Sequence, residues 1–227
     1  MKKRISILAA VVRNITTRII FNFQLTRTQI GYACMRASSF REVPLSNKGR
    51  SLLYANILMV VLLVVIPIAC LPYMPATVPS HWNASGQVTN YSSSFSTVMI
   101  LAVVMPLANI IIVLITAFRW KIINKYPYLI NLPAITLVIS TGNMDQYEKS
   151  RIINRIFEVT LLLGLVIGVY LLGLDAIILD SMITGHSNGT LVLLYSIIGA
   201  IVLIVPVILL YRKIYREEIL PKIKLSY

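Results

Sequence analysis

Four long apolar stretches dominate the hydropathy pattern of this chain. They run over Leu52–Leu71, Thr97–Phe118, Phe157–Leu179 and Leu191–Tyr211, with polar segments between them. Each has about 20 residues, which at about 1.5 Å per helical residue crosses a hydrocarbon core of about 30 Å. Alternation of apolar and polar positions, the pattern of membrane β-strands, is absent. The pattern therefore predicts an all-α membrane protein with four transmembrane helices.

The basic residues predict the orientation of these helices. Of the 21 Lys and Arg residues, ten precede the first stretch, six lie between the second and third, and five follow the fourth. The segments 73–96 and 180–190 contain none. Because cytoplasmic segments carry the excess of Lys and Arg, both termini and the middle loop are predicted to be cytoplasmic. The two segments without basic residues are then extracytoplasmic.

Composition supports the same class of protein. Hydrophobic residues make up 57% of the chain and charged residues only 13%, about half the charged fraction of a soluble domain. The net charge of +13 is therefore attributed to topology and to anionic lipid headgroups on the cytoplasmic face. A nucleic-acid partner is not expected, and the predicted location is the cell membrane, as a multi-pass protein.

The predicted organisation has five parts, which alternate between membrane and cytoplasm. They are a basic N-terminal segment (1–50), a pair of spans with an outer loop (51–120), a cytoplasmic loop (121–156), a second pair of spans (157–212) and a basic tail (213–227). Within the loop, the apolar stretch Tyr126–Ser140 is too short to cross and is broken by prolines, which predicts a re-entrant or interfacial element on the cytoplasmic side.

The first 50 residues form a segment that allows three interpretations. The segment is rich in Arg and contains a single acidic residue, Glu42, which is typical of a transit or signal segment. Residues 1–34 are equally compatible with an upstream extension of a protein that starts at Met35. A third interpretation is a basic amphipathic segment on anionic lipid.

A compact polar motif follows the first span, in the predicted outer loop. Its members occur in a fixed order: Pro75, Val78, Pro79, His81, Trp82, Asn83 and Gly86. This order resembles the P-x-x-[IV]-P-x-H-[WF]-N-x-x-G signature of a domain of unknown function at the N-terminus of SdpI-like membrane proteins. The resemblance covers residues 52–118 and implies two spans joined by this loop. By analogy it also implies immunity to a secreted toxin peptide and retention of a repressor at the membrane.

Polar and small residues inside the spans predict where helices pack. Gly164 and Gly168 form a G-x-x-x-G spacing, and Asp175 falls within about 40° of them on a helix. Asp175 is therefore predicted on the packing face, either as a proton- or cation-handling carboxylate or as an acid bonded to a neighbouring helix or to headgroups. Asn56 and Asn109 are expected to bond across helices.

Three prolines lie inside predicted spans. Pro67, Pro106 and Pro206 each remove a backbone hydrogen bond and are expected to kink their helices.

Metal and catalytic chemistry have weak support in the sequence. His81, Asp175, Asp180 and His186 are all predicted near the outer surface and are the candidate metal ligands. Their spacing matches no local ligand motif, and no hydrolase or nucleotide-binding motif occurs. We therefore expect neither an enzyme nor a cofactor.

Two hypotheses for function follow. In the first, the outer loop binds an extracellular peptide or envelope component, in a signalling or toxin-immunity role. In the second, the protein is a small ion-coupled transporter component that acts as a homo-oligomer, with Asp175 as the coupling carboxylate.

Overall fold

The computed structural model describes residues 40–83, 87–126, 135, 138–139, 144–185 and 189–221. They form two compact units. The hairpin unit comprises Pro44–Ala117 and Phe157–Lys213, and the Arg119 unit comprises the described parts of Met1–Val43, Phe118–Ile156 and Ile214–Tyr227. Residues 1–34, Gly86, His186 and most of the predicted interfacial element lie outside the described residues.

Helices and one hairpin make up the described chain. In order they are α1 (Asn47–Cys70), β1 (Thr77–Trp82), β2 (Val88–Ser93), α2 (Ser94–Val104), α3 (Leu107–Ala117), α4 (Arg119–Lys125), α5 (Gln146–Thr184) and α6 (Gly189–Ile214). A 3₁₀ turn (Leu71–Tyr73) follows α1, and a π-helical turn (Tyr215–Ile219) follows α6.

Three of these helical segments are long and apolar enough to cross a membrane. Among the described residues they are Asn47–Tyr73, Ser94–Ala117 and Gln146–Thr184, of 27, 24 and 39 residues. They contain the first and third predicted spans, and all of the second except Phe118. The stretch predicted as the fourth span lies within the helix α6. Helix α5 is about 58 Å long, which exceeds the hydrocarbon thickness. Four of its seven charged residues, between Glu148 and Arg155, lie in its first turns.

Helix α1 begins at a cap supplied by two side chains. The hydroxyl of Ser46 accepts a hydrogen bond from the Gly49 N–H at 3.0 Å, and the Ser46 N–H donates to Oε1 of Glu158 at 2.8 Å. These bonds satisfy amide groups at the helix start, and a carboxylate there complements the positive end of the helix dipole. Helix α1 therefore starts beside α5.

The second span is interrupted, as its proline predicts. Helices α2 and α3 are separated by a turn at Met105 and Pro106. Proline has no amide hydrogen to donate and its ring crowds the preceding turn, so the regular helix ends there. Pro67, in contrast, lies inside α1 without ending it.

A two-stranded hairpin occupies the first loop, and the all-α expectation did not include it. Strands β1 and β2 pair antiparallel from Thr77 opposite Ser93 to Trp82 opposite Val88. The pairing is irregular on both sides of His81, which marks a β-bulge. Pro79 is compatible with a strand here because the sheet has only two strands, so every strand is an edge.

One stripe of α5 is buried throughout the hairpin unit. Its members recur at helical spacing within about 60° of one another. They are Phe157, Leu161, Gly164, Gly168, Asp175, Leu179 and Met182. All but the two glycines and Asp175 are large and apolar, so these three residues are exceptions that need their own explanation.

In the Arg119 unit, side chains of α4 hold the chain before α1. Asn124 accepts from the Phe40 N–H at 2.9 Å and donates to the Phe40 carbonyl at 3.1 Å. Arg119 and Trp120 both donate to the Val43 carbonyl at 2.9 Å. Arg119 is nearly buried and also donates from Nε to Oδ1 of Asn154 at 3.0 Å, so its charge is solvated by protein oxygens.

Candidate functional site

The hairpin is attached to the helices of its unit through one strand. Val78 is completely buried and Pro79 is also buried. Val78 packs in an apolar cluster, called here the Val78 cluster, whose buried members are Val78, Val98, Leu179 and Met182. The first three residues of the sequence motif therefore differ in their role. Pro75 is exposed, whereas Val78 and Pro79 are buried and fix the strand on the helices.

Asn83 closes the loop of the hairpin. Its N–H donates to the Gln87 carbonyl at 2.9 Å, and its Oδ1 accepts from the Gln87 N–H at 2.8 Å. Its Nδ2 donates to Oε1 of Gln87 at 3.0 Å. Further along the strands, Ser92 donates to Ser80 through their hydroxyls at 2.9 Å. Asn83 thus has a structural role in the motif.

His81 lies at the bulge, opposite Asn90. Its side chain is exposed, and no hydrogen bond joins it to another residue in the described part of the chain. On the partner strand, Tyr91 is 61% exposed. A β-bulge redirects side chains, and bulges are common beside binding sites. The hairpin therefore presents an imidazole and a phenol on a fixed backbone. The side chain of Trp82, and Gly86, lie outside the described part of the chain.

The sequence contained a signal for this hairpin. The segments 77–82 and 88–93 are rich in Thr, Val, Tyr and Ser, and Asn-Ala-Ser-Gly separates them with turn residues. Two short β-favouring segments around such a turn predict a hairpin. The motif prolines and the short length of each strand hid the alternation.

Gly164 and Gly168 lie where side chains of α1 and α3 contact α5. A Cβ added at Gly164 would meet Oδ1 of Asn56, and one added at Gly168 would lie 2.9 Å from Nδ2 of Asn109 and 2.9 Å from Cγ of Met59. Only a residue without a side chain leaves room for these amides.

The two asparagines form one hydrogen-bond network across three helices. Nδ2 of Asn109 donates to Oδ1 of Asn56 at 3.0 Å and to the Gly164 carbonyl at 2.9 Å. Nδ2 of Asn56 donates to the carbonyls of Leu161 and Leu52, each at 2.8 Å. Both side chains are completely buried. The network thus joins the α1, α3 and α5 helices at one level.

Asp175 is on the same stripe of α5, two turns beyond Gly168. It is completely buried, and neither carboxylate oxygen has a hydrogen-bond partner among the described residues. The expectation of an acid bonded to a neighbouring helix is therefore not met in the described chain. An unpaired buried carboxylate is unfavourable, and ionisable residues inside membrane helices are commonly functional.

The candidate metal ligands do not form one cluster in the described structure. Asp175 is buried, whereas Asp180 is exposed and lies about 140° away around α5. His81 is on the hairpin, and His186 lies outside the described residues. Within those residues no group of three or more His, Cys, Asp or Glu side chains could hold a metal ion.

Comparisons with known proteins identify one domain and one relative. Residues 58–105 match the model of a domain of unknown function, DUF1648; they include the polar motif and the second half of α1. An uncharacterized protein of Archaeoglobus fulgidus is 34% identical over 168 residues, which cover 74% of this chain and 88% of that protein. No solved structure matches.

Proposed function

We infer that this chain, which belongs to the same family as the Archaeoglobus fulgidus protein and carries the DUF1648 match, is a recognition protein of the cell membrane. The proposed topology has four spans, α6 being the fourth, and both termini in the cytoplasm. The distribution of all 21 basic residues supports it. The same residues are proposed to contact anionic lipid headgroups on the cytoplasmic face.

Reporter fusions test this topology directly. A periplasmic-type reporter inserted after Ser93 or Ser187 is expected to be active, and one after Gln146 inactive, with a cytoplasmic reporter giving the inverse pattern. An active external reporter at Gln146 would refute the proposed orientation.

The hairpin is the proposed recognition surface, and one observation carries this proposal. Every described motif side chain that is buried or hydrogen-bonded serves the hairpin itself. The side chain of His81, in contrast, is exposed at the bulge and has no hydrogen bond to another described residue. A group presented in this way on a fixed backbone is suited to contact a ligand. The ligand class proposed is an extracellular peptide or an envelope component.

The resemblance to SdpI-like proteins supports a specific version of this role. In that version the hairpin contacts a secreted toxin peptide, and the basic cytoplasmic segments contact a regulator. The motif that carries the resemblance is the hairpin itself, so the residues that would be tested are the same.

The test compares two exposed positions of one hairpin. The protein in nanodiscs is incubated with the small-peptide fraction of the host's culture medium, and amide hydrogen exchange is followed over residues 77–93. We expect slowed exchange in the wild type and in Thr89→Ala, which is exposed on β2, but not in His81→Ala. Equal slowing in both variants would exclude His81 as a contact residue and refute the proposal.

A second function, ion-coupled transport, is favoured by Asp175. A completely buried carboxylate without a hydrogen bond to another described residue is a suitable coupling group in a membrane helix. Four spans are few for a carrier, so this function includes assembly as a homo-oligomer.

Proteoliposomes distinguish the two functions. A trapped pH-sensitive dye reports proton flux after a pH step. For a carrier we expect Asp175→Asn to abolish the flux and Asp180→Asn, an exposed acid on the same helix, to retain it. Flux that is no greater than in empty liposomes for the wild type and for both variants would exclude proton transport.

A further inference from the structure

Asp175 precedes, along α5, two members of the Val78 cluster that holds the hairpin. Leu179 is one turn further along α5 and Met182 two turns, and both belong to the Val78 cluster. At about 1.5 Å per residue, these positions are about 6 Å and 10.5 Å from Asp175 along the helix axis. All three side chains lie on the buried stripe of α5. The carboxylate therefore lies on the same face of α5 as two members of the Val78 cluster, one and two turns away.

The side chains around Asp175 favour a proton over a metal ion as the ligand of its carboxylate. A metal cation such as Ca²⁺ needs six to eight oxygen ligands, and no set of three acidic, His or Cys side chains is available in the described chain. The nearest buried amide level, that of Asn109 at Gly168, is about 10.5 Å away along α5. A proton needs only one carboxylate oxygen, and both oxygens lack a hydrogen bond to described residues.

Other titratable groups of the neighbouring elements are separate from this carboxylate. The groups at this end of the hairpin unit in the described chain are Cys70, Tyr73, His81, Tyr91, Tyr170, Asp180 and Tyr195. Tyr73, His81, Tyr91 and Asp180 are exposed, and the hydroxyl of Tyr195 donates to the Tyr170 carbonyl at 2.9 Å. Helices α2 and α3 contain no titratable side chain. Cys70 is partly buried and packs against the Val78 cluster.

We propose that Asp175 is a proton-binding site and that its occupancy controls the docking of the hairpin on the helices. With the proton bound, the acid is neutral and the Val78 cluster stays dry. When the proton leaves, the charged carboxylate draws water between the helices, because an unpaired charge is not stable in an apolar interior. Water at this level weakens the packing of Leu179 and Met182 against Val78, and the hairpin loosens.

This inference rests on the proposed function only in taking the hairpin as the working surface of the protein. Binding of a ligand to the docked hairpin would then favour the protonated acid, and protonation would favour ligand binding by the same factor. The measurement that tests the switch uses no ligand, so its outcome is independent of the His81 experiment.

Cys70 provides a built-in reporter of the docked state. In a Cys34→Ser background, the rate of its labelling by a water-soluble maleimide is measured across pH in nanodiscs. Each rate is divided by the rate of Asp175→Asn at the same pH, which removes the intrinsic pH dependence of the thiol. We expect this ratio to rise with pH by about 5-fold or more, within the usual range of coupling between sites. Asp180→Asn should show the same rise.

The second measurement is the rate of amide hydrogen exchange over residues 77–93. Each rate is again divided by the rate in Asp175→Asn at the same pH. This exchange should accelerate with pH together with the labelling ratio, because both report on the same opening. A ratio that stays constant with pH in both measurements would overturn the proposal. If Asp175→Asn does not fold, Asp175→Ser takes its place. Constant ratios combined with a hairpin that still loses ligand protection in His81→Ala would refute the switch and leave the recognition function standing.

Discussion

The network of Asn56 and Asn109 allows a quantitative prediction about stability. Asn56→Ala removes two hydrogen bonds between helices, the one to Leu161 and the one from Asn109. Asn109→Ala also removes two, the shared bond and the one to Gly164. The double variant removes three different bonds, because the bond between the asparagines is counted in both single variants.

The magnitude follows from the measured strength of such bonds in membrane proteins. Bonds between membrane helices average about 0.6 kcal/mol, with a maximum of about 1.7 kcal/mol. Each single variant is thus expected to lose about 1.2 kcal/mol, and the double variant about 1.8 kcal/mol. The double variant should therefore lose about 0.6 kcal/mol less than additivity predicts. The cavities left by the side chains add to the single losses.

The assay is equilibrium unfolding in mixed micelles, followed by circular dichroism. Ser51→Ala is the control on the same helix, because Ser51 is exposed and its hydroxyl donates within α1, to the Asn47 carbonyl at 3.1 Å. Its loss should be close to zero. The reasoning is refuted if the asparagine variants lose no more than Ser51→Ala, or if the two substitutions are strictly additive.

Three further predictions follow from close contacts. Gly168→Leu should lower the free energy of unfolding by about 1–3 kcal/mol in the same assay, because the new side chain overpacks the contacts with α1 and α3. The control Ala176→Leu, on the exposed side of α5, should not lower it. Equal losses in the two variants would contradict this packing. Asn124→Ala should accelerate amide hydrogen exchange at Phe40, because two hydrogen bonds of about 0.5–1.5 kcal/mol each are lost. Unchanged exchange at Phe40 would disprove its contact with Asn124. Asn83→Ala should accelerate amide hydrogen exchange in the hairpin loop. The melting temperature should change little, because the lost hydrogen bonds are exposed. A large fall in melting temperature would argue against this local role.

The spans could be predicted because their signal is local and strong. Apolar length predicted the segments that form α1, the α2 and α3 pair, and the membrane part of α5. Each of the three prolines was expected to kink its helix. The regular helix ends at Pro106, whereas Pro67 lies within α1 without ending it. The hairpin was not predicted, because each strand has only six residues and its stability depends on the pairing and on the burial of Val78.

The candidate site, too, could be predicted only in part from the sequence. The sequence showed that His81 and Asn83 belong to one motif, but the hydrogen bonds to Gln87 that give Asn83 its role require the closed loop. Helical spacing placed Asp175 on one face with Gly164 and Gly168. It could not show that the carboxylate is completely buried without a hydrogen bond to another described residue.

The sequence by itself determined what depends on the chemistry of single residues, namely the apolar segments that are long enough to span, and its charge bias predicts their orientation. These properties depend on transfer energies and on backbone geometry, which are local. The tertiary structure decided which polar side chains bond to another helix. Asn56 and Asn109 bond across three helices, whereas Asp175, two turns further along the same stripe of α5, has no such partner among the described residues. That difference arises because a hydrogen bond needs a second group at the right distance, and only packing brings it there.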